Sequence, residues 1–153
     1  VMSYSSHITV AAVIENDGSY LMVKEMANGL EVYNQPAGHW EINETFIQAS
    51  VRETLEETAW DYEPEAIVGI YRWPHPQEDS VFVRTTFCGK ATHFHPELAL
   101  DQGIIEACWM TRAEIEALDE LQRRSALVLK SIEDYENGIR YSLDLLTEVK
   151  ENW

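Results

Sequence analysis

Residues 38–60 read GHWEINETFIQASVRETLEETAW, and this stretch decides both the fold and the chemistry. Glu53, Glu56 and Glu57 stand at i, i+3 and i+4, so on a helix their carboxylates share one face. Like charges at that spacing destabilise a helix by about 0.2–0.5 kcal/mol per pair. A divalent cation offsets the repulsion, and Mg²⁺ takes carboxylate and water oxygens while bridging to substrate phosphates. The arrangement points to metal-assisted hydrolysis of a phosphate compound. A solvated acidic helix face is the competing account in so acidic a chain. The context favours a site. Thr45 and Gln48 read as a capping box that opens a helix, and Pro36-Ala37-Gly38 ahead of it reads as a loop. Arg52 can pair with Glu56 at i+4 and fix its rotamer.

Gly38, Glu44, Arg52-Glu53 and Glu56-Glu57 together resemble the Nudix box. Its pattern is Gly, five residues, Glu, seven residues, then Arg-Glu-apolar-any-Glu-Glu-any-Gly-apolar. Thr54 stands where an apolar residue is usual, and Ala59 where Gly closes the box just past the helix end. The likeness extends to the NudJ-type branch through Tyr33-Asn34-Gln35-Pro36-Ala37-Gly38-His39. It continues in a run from Arg124-Ser125 through Leu127-Val128, Ser131-Ile132, Tyr135, Gly138 and Arg140-Tyr141 to Leu143. The resemblance spans about His7 to Leu143. It implies the Nudix fold, an α+β architecture built as an α/β/α sandwich. A mixed sheet, a catalytic loop-helix and two C-terminal helices make up one domain over residues 1–153.

The resemblance also implies one to three Mg²⁺ or Mn²⁺ ions. Glu53, Glu56 and Glu57 are then the expected ligands, with the Gly38 carbonyl an addition. Glu44 is an outer ligand or a support, and Arg52 an orienter. Glu53 is one candidate for the proton-taking base, because crowding by like charges raises a carboxylate pKa. A later loop is the other source, from Glu97, Asp101 or Glu106. Of these Glu106 is preferred, because it lies just before a strand with Trp109. Around the site, Tyr33, Trp40, Trp73 and His75 offer aromatic faces for stacking, against the plainer account of ordinary packing. Gln35 and His39 flank the loop as substrate contacts, and Arg84 can grip a phosphate or simply line a sheet surface. The branch implies nucleoside tri- and diphosphates, or the diphosphate of the thiamine pyrimidine precursor. Other branches act on ADP-ribose or nucleotide sugars, and a non-hydrolytic nucleotide-sensing module is the alternative from another class.

The composition agrees. A chain of 153 residues, 45% of them hydrophobic, is long enough to bury a good core. A formal charge of −16 argues against nucleic-acid backbones and anionic membranes as partners. It fits a small-molecule phosphate carried on cations, which invert the local field. Cys88 and Cys108 are the only cysteines, and both read as buried thiols. No stretch reads as a signal peptide or membrane span, so a cytoplasmic monomer is expected. An acidic calcium buffer is excluded, because no Asp-rich loop with a central Gly is present.

Along the chain, strands are expected over 7–14, 20–23, 30–33, 66–73, 80–88 and 104–110. Gly89 to Phe94 continues the fifth of these after a bend. Asn16-Asp17-Gly18 and Asn28-Gly29 supply hairpin turns. Thr111 with Glu114 opens a helix, and a second helix runs from about Leu121 to Tyr135, ending at Asn137-Gly138.

Overall fold

The computed structural model describes residues 5–151; the two ends of the domain expected over 1–153 lie outside them. Its centre is β1 (Ser5–Asn16), which pairs in parallel with β6 (Ser80–Phe94) from Ser5↔Ser80 to Ile14↔Gly89. The Asp17-Gly18 turn, with φ of 49° and 81°, returns the chain into β2 (Ser19–Ala27). Asn28-Gly29, with φ of 52° and 78°, leads on into β3 (Leu30–Asn34). Both are two-residue turns with φ positive at each position, which suits the twist of a hairpin.

The next strand corrects the expected loop. Ala37–His39 is a short strand, β4, antiparallel to β1 through Thr9↔His39, Val10↔Gly38 and Ala11↔Ala37. The pairing is extended by Ala12 N donating to Pro36 O and Trp40 N to Ile8 O, each at 3.0 Å. Proline loses only its own donor there, and its carbonyl still serves the ladder.

Helix α1 (Phe46–Thr58) opens on the expected capping box, Thr45 Oγ1 taking Gln48 N and Gln48 Oε1 taking Thr45 N. It closes at Ala59, which is left-handed at φ 62° with its N–H on Leu55 O. A Cβ in that region costs about 1 kcal/mol, which glycine would avoid. The chain turns there directly into β5 (Trp60–Pro74), so this strand starts well before the expected Ala66. β5 pairs antiparallel with β6 along its length, with register shifts near Tyr62, Ala66 and Gly69. Gly89 lies in unbroken strand, where a Cβ would stand 2.0 Å from Glu63 O.

β7 (Ile104–Thr111) pairs with β2, and Thr111 and Glu114 form the capping box of α2 (Arg112–Glu116). The expected helix from Leu121 is interrupted. A 3-10 turn covers Glu120–Gln122, Arg123 is extended and bridges Tyr33, and α3 spans Leu127–Glu136. Tertiary bonds explain the break. Arg123 Nη1 reaches the carbonyls of Ile115 and Leu118 at the end of α2, and Arg124 N donates to Tyr33 O.

The sheet order is β3-β2-β1-β6-β5, with β4 on β1 and β7 on β2. Alternation along β1 divides two cores. Val10, Ala12 and Ile14 face α1 with Ile67, Phe87, Leu21 and Tyr62, whereas Val13 faces α3 with Met22, Val68, Cys88, Val128 and Ile132. This is the expected sandwich. Among the described residues no helix is long and apolar enough to cross a membrane.

Candidate active site

The site forms where β4 passes under the middle of α1. A Cβ built on Gly38 would fall 2.2–2.4 Å from the Glu53 carboxyl atoms, so glycine leaves room for that carboxylate where it stands. One turn further on, Glu57 points inward and accepts Ala37 N at 2.8 Å. Helix and strand are thus joined through carboxylates of the acidic face.

Arg52 organises that face. Its Nε and Nη2 grip both oxygens of Glu44, at 2.9 and 2.7 Å. Its Nη1 donates to Glu53 at 2.9 Å and to Glu56 at 3.1 Å, and Nη2 also reaches His39 O at 3.1 Å. The expected i+4 pair with Glu56 is present, and the fork on Glu44 adds to it. Glu44 also accepts Glu41 N at 3.0 Å. The bonds from Arg52 hold the Glu44 carboxyl below its ordinary pKa. A planar guanidinium can serve so many oxygens at once, whereas an ammonium cannot.

The remaining carboxylates are crowded. Burial pushes Glu57 up to about 9, against the pull of Ala37 N–H and with the charges of Glu53, Glu25 and Asp101 adding to it. Burial likewise lifts Glu53 to about 7, with Arg52 pulling it down and Glu56 and Asp101 pushing up. Glu56 is raised too, by burial first. Carboxylates that resist ionisation this strongly favour a cation among them.

Asp101 completes the arrangement. Oxygens of Glu53, Glu56 and Asp101 all lie within 4.8 Å of one another. The loop carrying Asp101 is tied to the end of α1 by Asp101 N donating to Glu56 O at 3.0 Å. Three convergent hard oxygens at a partly open edge fit a divalent cation that keeps some of its waters.

The other sequence candidates are placed as follows. Glu106 sits opposite Lys24 in the β2–β7 ladder. By alternation it shares a face with Cys108 and Met110, which pack toward α3, while Ala107 and Trp109 pack toward α1. It is not in the carboxylate group. Glu97 lies 3.5 Å from His95, which is also bonded to Asp61 at 2.6 Å. Gln35 is buried, its Nε2 donating to Val128 O at 2.8 Å and its Oε1 accepting Arg84 Nη2 at 2.9 Å. Trp40 packs edge-on against Phe46 and donates Nε1 to Glu44 O at 2.6 Å. Tyr33 packs toward α3 beneath the Lys24 ammonium. His39 is exposed and bonded to His7 at 3.1 Å.

A parallel–antiparallel sandwich with a glycine-seated, arginine-braced acidic helix defines a class of hydrolases that work on phosphate compounds through a carboxylate centre. The NUDIX domain model matches residues 5–131, and the chain belongs to the Nudix hydrolase family. It is 35% identical over 150 residues to Phosphatase NudJ of Escherichia coli strain K12, covering 98% of this chain and 95% of that protein. Phosphatase NudJ of Shigella flexneri matches to the same extent. Among solved structures, a NUDIX hydrolase from Nitrosomonas europaea superposes with a TM-score of 0.91 at 44% identity, covering 95% of this chain and 98% of that one. The MutT protein from Methanosarcina mazei Go1 shares the fold, with a TM-score of 0.71 at 19% identity over 90% and 99% of the two chains.

Proposed function

We propose that this chain hydrolyses a phosphoanhydride bond in a small diphosphate-containing metabolite with Mg²⁺ as its cation. Nucleoside tri- and diphosphates, or the thiamine pyrimidine precursor diphosphate, are the first substrates to consider. The observation that carries the reading is the convergence of Glu53, Glu56 and Asp101 beside the Arg52–Glu44 brace. Similarity to Phosphatase NudJ over 98% of the chain supports the phosphate-releasing branch.

Glu53, Glu56 and Asp101 would hold the cation, with Glu57 behind them fixing Ala37 and hence the approach of β4. A cation held there would supply charge neutralisation for diphosphate oxygens and would acidify the water that attacks. Arg52 keeps Glu53 and Glu56 in place by bonding one oxygen of each. A carboxylate of this group takes the proton of the attacking water. Asp101 is a better choice than Glu106 for the carboxylate from a later loop, because it stands within the group.

The test is product analysis on GTP, GDP, the thiamine pyrimidine diphosphate and ADP-ribose, with Mg²⁺ and with chelator. Phosphate release from the first three, abolished by chelator and cut about 100-fold or more by Glu56→Gln, is the expected result. Cleavage of ADP-ribose alone would replace the NudJ-like substrate assignment. Full activity of Glu56→Gln would remove the carboxylate centre from the mechanism.

A further inference from the structure

The segment between β6 and β7, residues 95–103, brings Asp101 to the carboxylate group and is fastened to the end of α1 at two points. Asp101 N donates to Glu56 O at 3.0 Å, and His95 N donates to Ala59 O at 2.8 Å. Both acceptors are carbonyls that a helix end leaves without partners inside the helix. At its far end, Gly103 O accepts Met26 N at 3.0 Å, and Asp101 O accepts Ile104 N at 3.1 Å. These fastenings are backbone bonds of a kind that most residues can make. The His95 side chain adds one of a different kind.

His95 stands just past the end of β6, and its ring lies between two carboxylates. Nε2 is 2.6 Å from Asp61 Oδ2, near the start of β5, and Nδ1 is 3.5 Å from Glu97 Oε1 in the segment itself. The carboxylates stand at different ring nitrogens, so the three residues do not converge on one point as metal ligands do. His93, opposite Asp61 in the β5–β6 ladder, meets the ring edge-on at 4.5 Å between centroids. The titratable groups around the ring are thus Asp61 from β5, His93 from β6 and Glu97 from the segment, while the end of α1 supplies the Ala59 carbonyl to the His95 backbone. A neutral imidazole has one N–H and one bare lone pair, whereas the imidazolium donates from both nitrogens. The bond to Asp61 raises the His95 pKa above its ordinary 6.5 against desolvation, and the charges of Asp61 and Glu97 add to the rise.

We propose that His95 is a positioning residue for the carboxylate centre, its ring clamping the segment that carries Asp101 to β5 and the end of α1. Glu53 and Glu56 are held by Arg52 on a helix. Asp101 arrives on a segment outside helix and strand, so its place depends on how that segment is fastened. His95 fixes where the segment leaves the sheet, and the Asp101 N–H fixes where it meets α1. The clamp has a sign with pH. It is fully present below 6.5, where the ring carries its proton, and is lost as pH rises through the folded His95 pKa above that value. Beyond that point a bare nitrogen faces a carboxylate. The inference rests on the hydrolase reading for the role of Asp101 in the centre.

Hydrogen exchange in chelator, which needs neither metal nor substrate, reads the clamp. Protection of the Asp101 amide is compared with that of Thr86 and Phe87, buried in β6. In the parent this relative protection is expected to fall about tenfold as the His95 ring titrates, the ring being followed by NMR. His95→Gln and Asp61→Asn, each of which removes the ion pair, should stay at the lower level at every pH. His95→Arg, which keeps a charge and several donors, should stay at the upper level. Mg²⁺ titration by calorimetry at pH 6.5, below the raised His95 pKa, reads the consequence. Binding about tenfold weaker in His95→Gln, and within about threefold of the parent in His95→Arg, is the expected result for a group that orients a metal ligand. Asp101 protection that ignores the His95 titration, or unaltered Mg²⁺ affinity in His95→Gln, overturns the inference. So does a loss in His95→Arg as large as that in His95→Gln, because shape rather than charge would then hold the segment. No turnover of GTP or GDP by the parent would sink the hydrolase reading alone, since exchange and Mg²⁺ binding decide the clamp without substrate.

Discussion

Gly38 shows how a single residue can be fixed by what lies opposite it rather than by its own backbone. It sits in regular antiparallel pairing with Val10, so the need for glycine comes from the Glu53 carboxylate that occupies the space of a Cβ. That carboxylate is the free end of a flexible side chain, and it can swing away at small cost to the fold. Gly38→Ala is therefore expected to melt within about 3 °C of the parent, because a contact of this kind costs no more than about 1 kcal/mol. The same change turns Glu53 away from Glu56 and Asp101 and breaks its bond to Arg52. It should lower kcat/KM by about 100-fold or more, since small misplacements of positioned groups are felt that strongly. Steady-state kinetics beside a thermal melt checks both halves. An active Gly38→Ala enzyme would show that Glu53 is not needed where it stands.

At the scale of elements, α1 carries a conflict between folding and chemistry. Its inner acidic residue, Glu57, is 8% exposed, and burial holds its carboxyl near 9 rather than the ordinary 4.5. Below the unfolded pKa both states are neutral and the group costs nothing. Between about 4.5 and 9 the unfolded chain ionises first, so stability falls as pH rises through this window, by no more than about 1.4 kcal/mol per pH unit. Glu53, near 7, adds to the same slope over the lower part of that range. In chelator the melting temperature should therefore drop between pH 5 and pH 8, and Mg²⁺ should recover more at pH 8 than at pH 6. Glu57→Gln keeps an acceptor for Ala37 N without the charge. It is expected to raise the chelated protein's melting point at pH 8 by about 4–8 °C, for roughly 2 kcal/mol, while reducing turnover. A pH-independent melt in the parent would contradict the account. The start of this helix was open to reading from sequence because the Thr45–Gln48 capping box closes within four residues. The place of Asp101 was not. It depends on a backbone bond to Glu56 across 45 positions, whereas the argument for Glu106 used only its neighbours, and alternation turns that side chain to the other face.

At the scale of the molecule, the segment after α3 links the two cores. It leaves the α3 side, exchanges two backbone bonds with Ile67 through Tyr141, at 2.7 and 2.8 Å, and reaches the α1 side. There Leu143 and Leu146 pack with Phe46, Ile47 and Trp40 over Val10 and Phe87. No periodicity marks so short a path, which is why sequence patterning stopped at Gly138, while strands and two helix starts were legible from residue pattern and capping boxes and the family resemblance supplied the sandwich. The same limit applied to residues 121–126, where bonds from Arg123 and Arg124 to distant carbonyls override a helical pattern. Because the segment covers the start of α1, its loss should reach the carboxylate centre through the helix that presents Glu53 and Glu56. Leu143→Ala with Leu146→Ala removes two half-buried side chains and is expected to cost about 2–4 kcal/mol. Denaturant unfolding gives that figure, and hydrogen exchange at Ile67 and Tyr141 should quicken with it. If exchange quickens at these two amides while the amides of α1 keep their protection, the segment is a local edge cover, and the coupling to the catalytic helix argued here fails.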